Sequence, residues 1–167
     1  PRAARRFADR RADWAGAAAL PMIPTKYPMA DSLIRFTRGL GMARTGDVDG
    51  AKKEIEEMKL LRKTLQDADQ SYWADRTEEQ MLAVSSWVAL KEGDRDRALK
   101  FMRAAADSED ASRKHVAMEN RLFPFRELLA ELLLEVGQPA AALNEYETAL
   151  KQTPNRFRAF WGAARAA

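Results

Sequence analysis

Four short stretches of the chain repeat one pattern, a turn followed at a fixed offset by an alanine. They are Ala12-Asp13-Trp14-Ala15-Gly16-Ala17, Gly46-Asp47-Val48-Asp49-Gly50-Ala51, Gly93-Asp94-Arg95-Asp96-Arg97-Ala98 and Gly137-Gln138-Pro139-Ala140-Ala141-Ala142. Three open on glycine, which ends a helix in the positive-φ conformation that side chains disfavour. Two of these continue with aspartate, whose carboxylate accepts from the first free amides of the next helix. The alanine is small because two helices must approach closely there. A chain punctuated in this way folds as successive helices joined by short turns.

The turn alanines are spaced 34 (17 to 51), 47 (51 to 98) and 44 (98 to 142) residues apart. Longer helices absorb the extra length of the second interval, because Ala51 to Asp67 contains no Pro or Gly and Ser71 to Glu92 is equally uninterrupted. In the third interval Asp107 to Phe123 is polar and weakly periodic, which predicts a surface loop, and Pro124 suits the first turn of the next helix. Leu20 to Pro28, with Pro21, Pro24 and Pro28, predicts an extended connection. Helices are expected near 2–11, 14–20, 30–44, 48–67, 71–92, 95–107, 124–136, 139–152 and 156–167, with no strand. Opening Pro1-Arg2-Ala3-Ala4 without an initiator Met, the chain is expected to be a piece of a longer protein.

After the last turn, Ala142, Tyr146, Ala149 and Pro154 have the small, aromatic, small, proline spacing of a second helix and its stop. The 34-residue interval equals the period of a known helical repeat. On these residues the chain resembles the tetratricopeptide repeat (TPR) family. Ala98, Met102 and Ala105 follow the same spacing, Ala51, Ile55 and Met58 follow it loosely, and Gly39 lies where the family's first helix prefers Gly or Ala. Lys63 and Asp110 depart from the family's proline, most of its first-helix Trp and Tyr positions are replaced, and Pro21 interrupts the first unit. The resemblance implies an all-α, right-handed α-solenoid of antiparallel helix pairs, of bacterial origin. Residues 1–167 then form a single TPR-like domain with units near 1–29, 30–70, 71–123 and 124–154, and a terminal covering helix over 155–167.

Composition removes several chemistries. With no Cys and one His there is no disulfide, cysteine nucleophile or His-cluster metal site. No apolar run reaches the ~18 residues of a membrane span, so no membrane insertion is expected, while the compartment stays open. The net charge of +3 divides into +4 over residues 1–50, −3 over 51–110 and +2 over 111–167. Arg2, Arg5, Arg6, Arg10 and Arg11 form rows able to grip phosphate, yet lack the stacking aromatics of a nucleic-acid surface and read as an exposed terminal face. His115 has no nucleophile or orienting partner near it in sequence. Glu127, Glu131 and Glu135 recur every four residues, which reads first as a solvated helix face. Gly39-Leu40-Gly41 lacks the preceding strand and third glycine of a nucleotide loop, and Gly46-Asp47-Val48-Asp49-Gly50 lacks the closing Glu of a calcium loop. No catalytic group, cofactor or metal site is expected.

What the resemblance does imply is a concave, partner-binding surface lined by the first helix of each unit. Carried over from each turn alanine, its positions are Arg2, Arg6 and Arg10, then Phe36, Leu40 and Arg44, then Ala83, Trp87 and Lys91, then Glu127, Glu131 and Glu135, and finally Trp161 and Arg165. Phe36 and Trp87 would either receive apolar side chains of a peptide or pack as core. The Lys and Asn pattern of chaperone-tail binders is not met. The expected role is a non-catalytic protein–protein interaction scaffold for a peptide or protein partner. Its alternatives are a structural segment self-associating through exposed ends, and, less favoured, a nucleic-acid binder.

Overall fold

A computed structural model of the chain describes residues 13–112 and 123–167. The expected helix over 2–11, the N-terminal arginines and His115 lie outside the described residues. Among those described, the chain is all-α: α1 Trp14–Ala18, α2 Pro28–Thr45, α3 Val48–Asp67, α4 Ser71–Lys91, α5 Arg95–Ala111, α6 Phe125–Glu135, α7 Pro139–Gln152 and α8 Phe157–Ala166.

The turn chemistry read from the sequence is what ends and starts these helices. Gly46, Gly93 and Gly137 have φ of 95°, 87° and 81°, the left-handed region that lets a following amide bond back to the spent helix. Asp13, Asp47 and Asp94 each accept from the amide three residues on, at 2.8–2.9 Å. Asp69 supplies the same left-handed turn between α3 and α4 without a glycine, with φ 56°. Pro28 begins α2 two residues earlier than expected, since proline is pre-set for the first helical position.

A larger correction concerns α5. Asp107 to Ala111 is helical rather than loop. The polar residues that suggested a loop are anchors: the buried Glu109 carboxylate accepts from the Phe125 amide at 2.8 Å and so caps α6. Arg126 reaches back to Asp107 at 2.6 Å and Asp110 at 2.7 Å. Burial tends to lower the Arg126 pKa, but its bonds to Asp110 and Asp107 and the charge of Glu145 raise it above the ordinary value.

Each helix packs on the next in sequence. Within α2 and α3 the chain reverses: Arg35 pairs with Glu54 and Glu57, each at 2.9 Å, and Arg38 with Glu54 at 2.6 Å. α4 and α5 also run antiparallel, with Arg76 bonded to Ser112 and Ser108 to Glu79. Two pairs of alternate helices run parallel. Ser32 meets Gln80 while Gly39 faces Val84 across α2 and α4, and Glu127 meets Arg156 while Glu131 meets Arg158 across α6 and α8.

Small residues make the close approaches. Ala17, Ala51, Ala98 and Ala142 are all buried. A Cβ at Gly41 would lie 2.6 Å from the Trp14 carbonyl of α1, and one at Gly39 3.2 Å from Val84 of α4. One core runs from Phe36 to Ala166 through Met58, Val84, Trp87, Met102 and Leu128 to Leu133. Each large side chain closed into it contributes about 1.5–3 kcal/mol.

One pair of positions recurs across the helix pairs. Arg35 and Arg126 lie sixteen residues before a turn alanine, and their partners Glu54 and Glu145 lie three after it. The intervening unit has Leu82 and Phe101 at these two places, both half-buried against the core.

Candidate functional site

Three of the side chains assigned above to a partner-binding surface, Trp87, Glu131 and Glu135, meet at a fourth, Arg44, in the last turn of α2. Its guanidinium carbon lies 3.9 Å from the ring centre of Trp87 on α4 and 4.5 Å from that of Trp14 on α1. The same group pairs with Glu131 at 3.3 Å and Glu135 at 3.1 Å on α6. A planar guanidinium suits this position because its faces stack on rings while its edges bond carboxylates.

A second arginine completes the cluster from the opposite end of the chain. Arg158 of α8 pairs with Glu131 and covers the Phe123 ring at 4.3 Å, and Phe123 lies 5.9 Å from Trp14. Arg156, one residue before α8, pairs with Glu127. Arg44, Arg156 and Arg158 thus balance Glu127, Glu131 and Glu135 in charge. Removing ions from water is costly unless they are paired and hydrogen-bonded, which is the arrangement found. Glu127 still carries the cost: burial raises its pKa, outweighing the lowering by the Arg156 hydrogen bond and charge. Burial likewise raises the Tyr146 pKa.

These positions divide sharply. Phe36, Leu40, Ala83 and Trp87 are at most 2% exposed, so the choice left open for Phe36 and Trp87 resolves to core. Phe36 meets Phe125 edge-on with ring centres 6.0 Å apart. The reason is closure: α6, with Trp14 and Phe123, covers the face of α2 and α4 that would otherwise be open. Glu127 is 1% exposed and Glu131 is half-buried, which corrects the reading of the Glu127–Glu131–Glu135 row as a solvated face. Arg44 and Glu131 are spent on internal pairs. Glu135, Lys91, Trp161 and Arg165 remain exposed.

Sequence reasoning missed Trp14, Phe123, Arg156 and Arg158 as members of this cluster. One signal was present: no acidic side chain lies within four residues of Arg156 or Arg158, so any ion pair they make reaches another element.

α8 is the one described helix that turns several large apolar side chains outward. Phe157, Phe160 and Trp161 are 77%, 55% and 60% exposed and, with exposed Ala164, occupy i, i+3, i+4 and i+7. Its inner face is Ala159, Gly162 and Ala166, all buried.

Among the described residues no three His, Asp or Glu side chains are grouped to hold a metal ion. No described helix is long and apolar enough to cross a membrane. Compared with known proteins, the chain matches no family model, no curated protein and no solved structure.

Proposed function

We propose that the chain is a TPR-like, right-handed α-solenoid segment acting as a non-catalytic protein–protein interaction scaffold. The solenoid reading draws support from antiparallel neighbours, parallel alternate helices and alanines at equivalent close approaches. The interaction reading rests on one observation: Phe157, Phe160 and Trp161 are exposed together on one face of α8. Contiguous exposed apolar surface on a well-packed domain marks a site of association, and aromatic side chains are favoured anchors. Of the positions carried over for a concave face, Phe36 and Trp87 are buried and Arg44, Glu127, Glu131 and Glu135 are paired internally, while Trp161 and Arg165 are exposed and lie on α8 itself. Here the role departs from the peptide-filled groove implied by the resemblance.

The immobilised chain and its Phe160→Asp variant, both shown folded by circular dichroism, test this in a cell lysate. Proteins retained by the first and lost by the second support a scaffold that works through α8. Equal retention moves the recognition surface elsewhere. The same face also favours a second reading, self-association through an exposed end. Sedimentation equilibrium separates the two, since a mass rising with concentration that Phe160→Asp abolishes supports self-association.

A further inference from the structure

We infer that the connection between α1 and α2 is a docking peptide, read in the polyproline II conformation by a partner domain whose groove is lined with aromatic rings. Residues 20–25 lie outside any helix, and Pro21, Ile23, Pro24, Thr25, Lys26 and Tyr27 are exposed. The site is separate from α8, so neither reading stands or falls with the other.

The sequence dictates the backbone here. Pro21, Pro24 and Pro28 have φ set by their rings, and each pushes the residue before it, Leu20, Ile23 and Tyr27, towards the extended region. Tyr27 shows the effect, with φ −118° and ψ 96°. A polyproline II helix has three residues per turn and no internal hydrogen bonds. Among the described residues, no backbone–backbone hydrogen bond reaches residues 21 to 26.

The period of three also matches what is free and what is held. Met22 and Thr25 share one edge, and that edge is tied to the chain: Met22 is half-buried, and the Thr25 amide donates to the buried Asp31 carboxylate at 3.0 and 3.1 Å. Pro21, Pro24 and Tyr27 share the second edge, Ile23 and Lys26 the third, and all five are exposed. The segment is pinned at its start as well, because Leu20 is buried and its carbonyl accepts from Arg38. A peptide already held extended loses little further freedom when it docks.

The same prolines exclude the other ways a short segment is recognised. They bar an amphipathic helix. Being three residues apart, Pro21 and Pro24 remove an amide donor from each side of an extended strand, so the segment cannot be added to the edge of a sheet. Grooves of aromatic rings read the ridges of a P-x-x-P segment and need no ladder of backbone bonds. Lys26 continues the Ile23 edge by one turn, 5.2 Å from the Tyr27 ring, and gives the otherwise similar ridges a direction.

The test titrates the folded chain with a panel of purified SH3 domains, which carry such grooves, and reads binding by calorimetry. At least one domain is expected to bind, and to lose the chain when a groove tryptophan is replaced by alanine. Pro21→Ala and Pro24→Ala are each expected to weaken binding at least about fivefold, as loss of an anchor does. Ile23→Asp, at an exposed side chain, is expected to weaken it equally with the melting transition unchanged. Leu60→Asp on α3 and Phe160→Asp on α8 are expected to leave it intact. A synthetic peptide of residues 19–28 is expected to bind more weakly than the chain, since it must first be ordered. Binding by no domain would overturn the inference and leave the segment a stiff spacer. So would binding that survives both proline substitutions or is lost in Phe160→Asp, and so would a peptide that binds while the chain does not.

Discussion

Gly162 of α8 lies directly on the ring of Tyr146 in α7, so close that a Cβ there would overlap the ring carbons Cζ and Cε1. α8 is held by this contact, by Ala159 and Ala166 beneath it, and by two arginine–glutamate pairs to α6. Gly162→Ala improves helix propensity, by about 1 kcal/mol in isolation. Overpacking against Tyr146 outweighs that gain and is expected to destabilise the chain by about 1–3 kcal/mol. Urea denaturation reads the sign, and a stabilised variant would mean that α8 is not seated on Tyr146.

Trp87→Ala is expected to cost about 3–5 kcal/mol, the range for deleting a buried aromatic side chain. Part of that loss belongs to Arg44. In a double-mutant cycle with Arg44→Met, the pair should show a coupling of about 1–2 kcal/mol, since a desolvated cation on a ring is worth about 2 kcal/mol. Additive losses would show that the guanidinium and the ring do not interact. Thermal unfolding of the four proteins supplies the numbers.

Ala142 has no exposed surface between α7 and its neighbours. Ala142→Glu places an unpaired charge there and is expected to cost about 3–5 kcal/mol, enough to abolish a marginally stable fold. Ala51→Glu and Ala98→Glu should behave alike, because all three alanines are buried at the same offset after a turn. An unchanged melting transition in any of them would mean that the close approach at that turn is misplaced.

Glu127 gives a pH dependence whose sign follows from its burial. Its folded pKa is raised from the ordinary 4.5, so the folded chain holds this proton more tightly than the unfolded chain does. The group therefore contributes stability below 4.5 and loses it as pH rises through the folded pKa. Glu127→Gln removes this falling component. Between pH 4.5 and 7 the wild type should lose more stability, relative to the variant, as pH increases. Parallel stability curves, obtained by denaturant titration at each pH, would show that Glu127 does not titrate as its burial dictates.

The turns and most helix limits were legible because they depend on residues within four or five positions of each other. Glycines at 46, 93 and 137 and aspartates at 13, 47 and 94 act locally, so their meaning survives without the fold. The end of α5 was misread for the opposite reason. Glu109 and Asp110 look like loop residues until Phe125 and Arg126, sixteen positions on, are brought beside them. The fate of the expected binding face was equally distant. Phe36 is closed by Phe125, and Arg44 by Glu131, eighty-seven residues away, and no local period carries that curvature. The terminal helix was expected to cover the preceding unit with Phe157, Phe160, Trp161 and Ala164, but it is seated through Ala159, Gly162 and Ala166, small enough for close approach to Tyr146, and turns those larger side chains outward.

The recurring positions occupied by Arg35 and Glu54, by Leu82 and Phe101, and by Arg126 and Glu145 behave as a two-letter code written at three of the helix-joining turns. An ionic word and a greasy word fill the same slot, and each ionic word has further anchors: Glu57 for Arg35, Arg38 for Glu54, and Asp107 and Asp110 for Arg126. A charge at such a joint is held by more than its own pair, while Leu82 and Phe101 rest on the core. The same offset from the turn thus joins consecutive helices by two chemistries, ionic at both flanking turns and apolar at the one between.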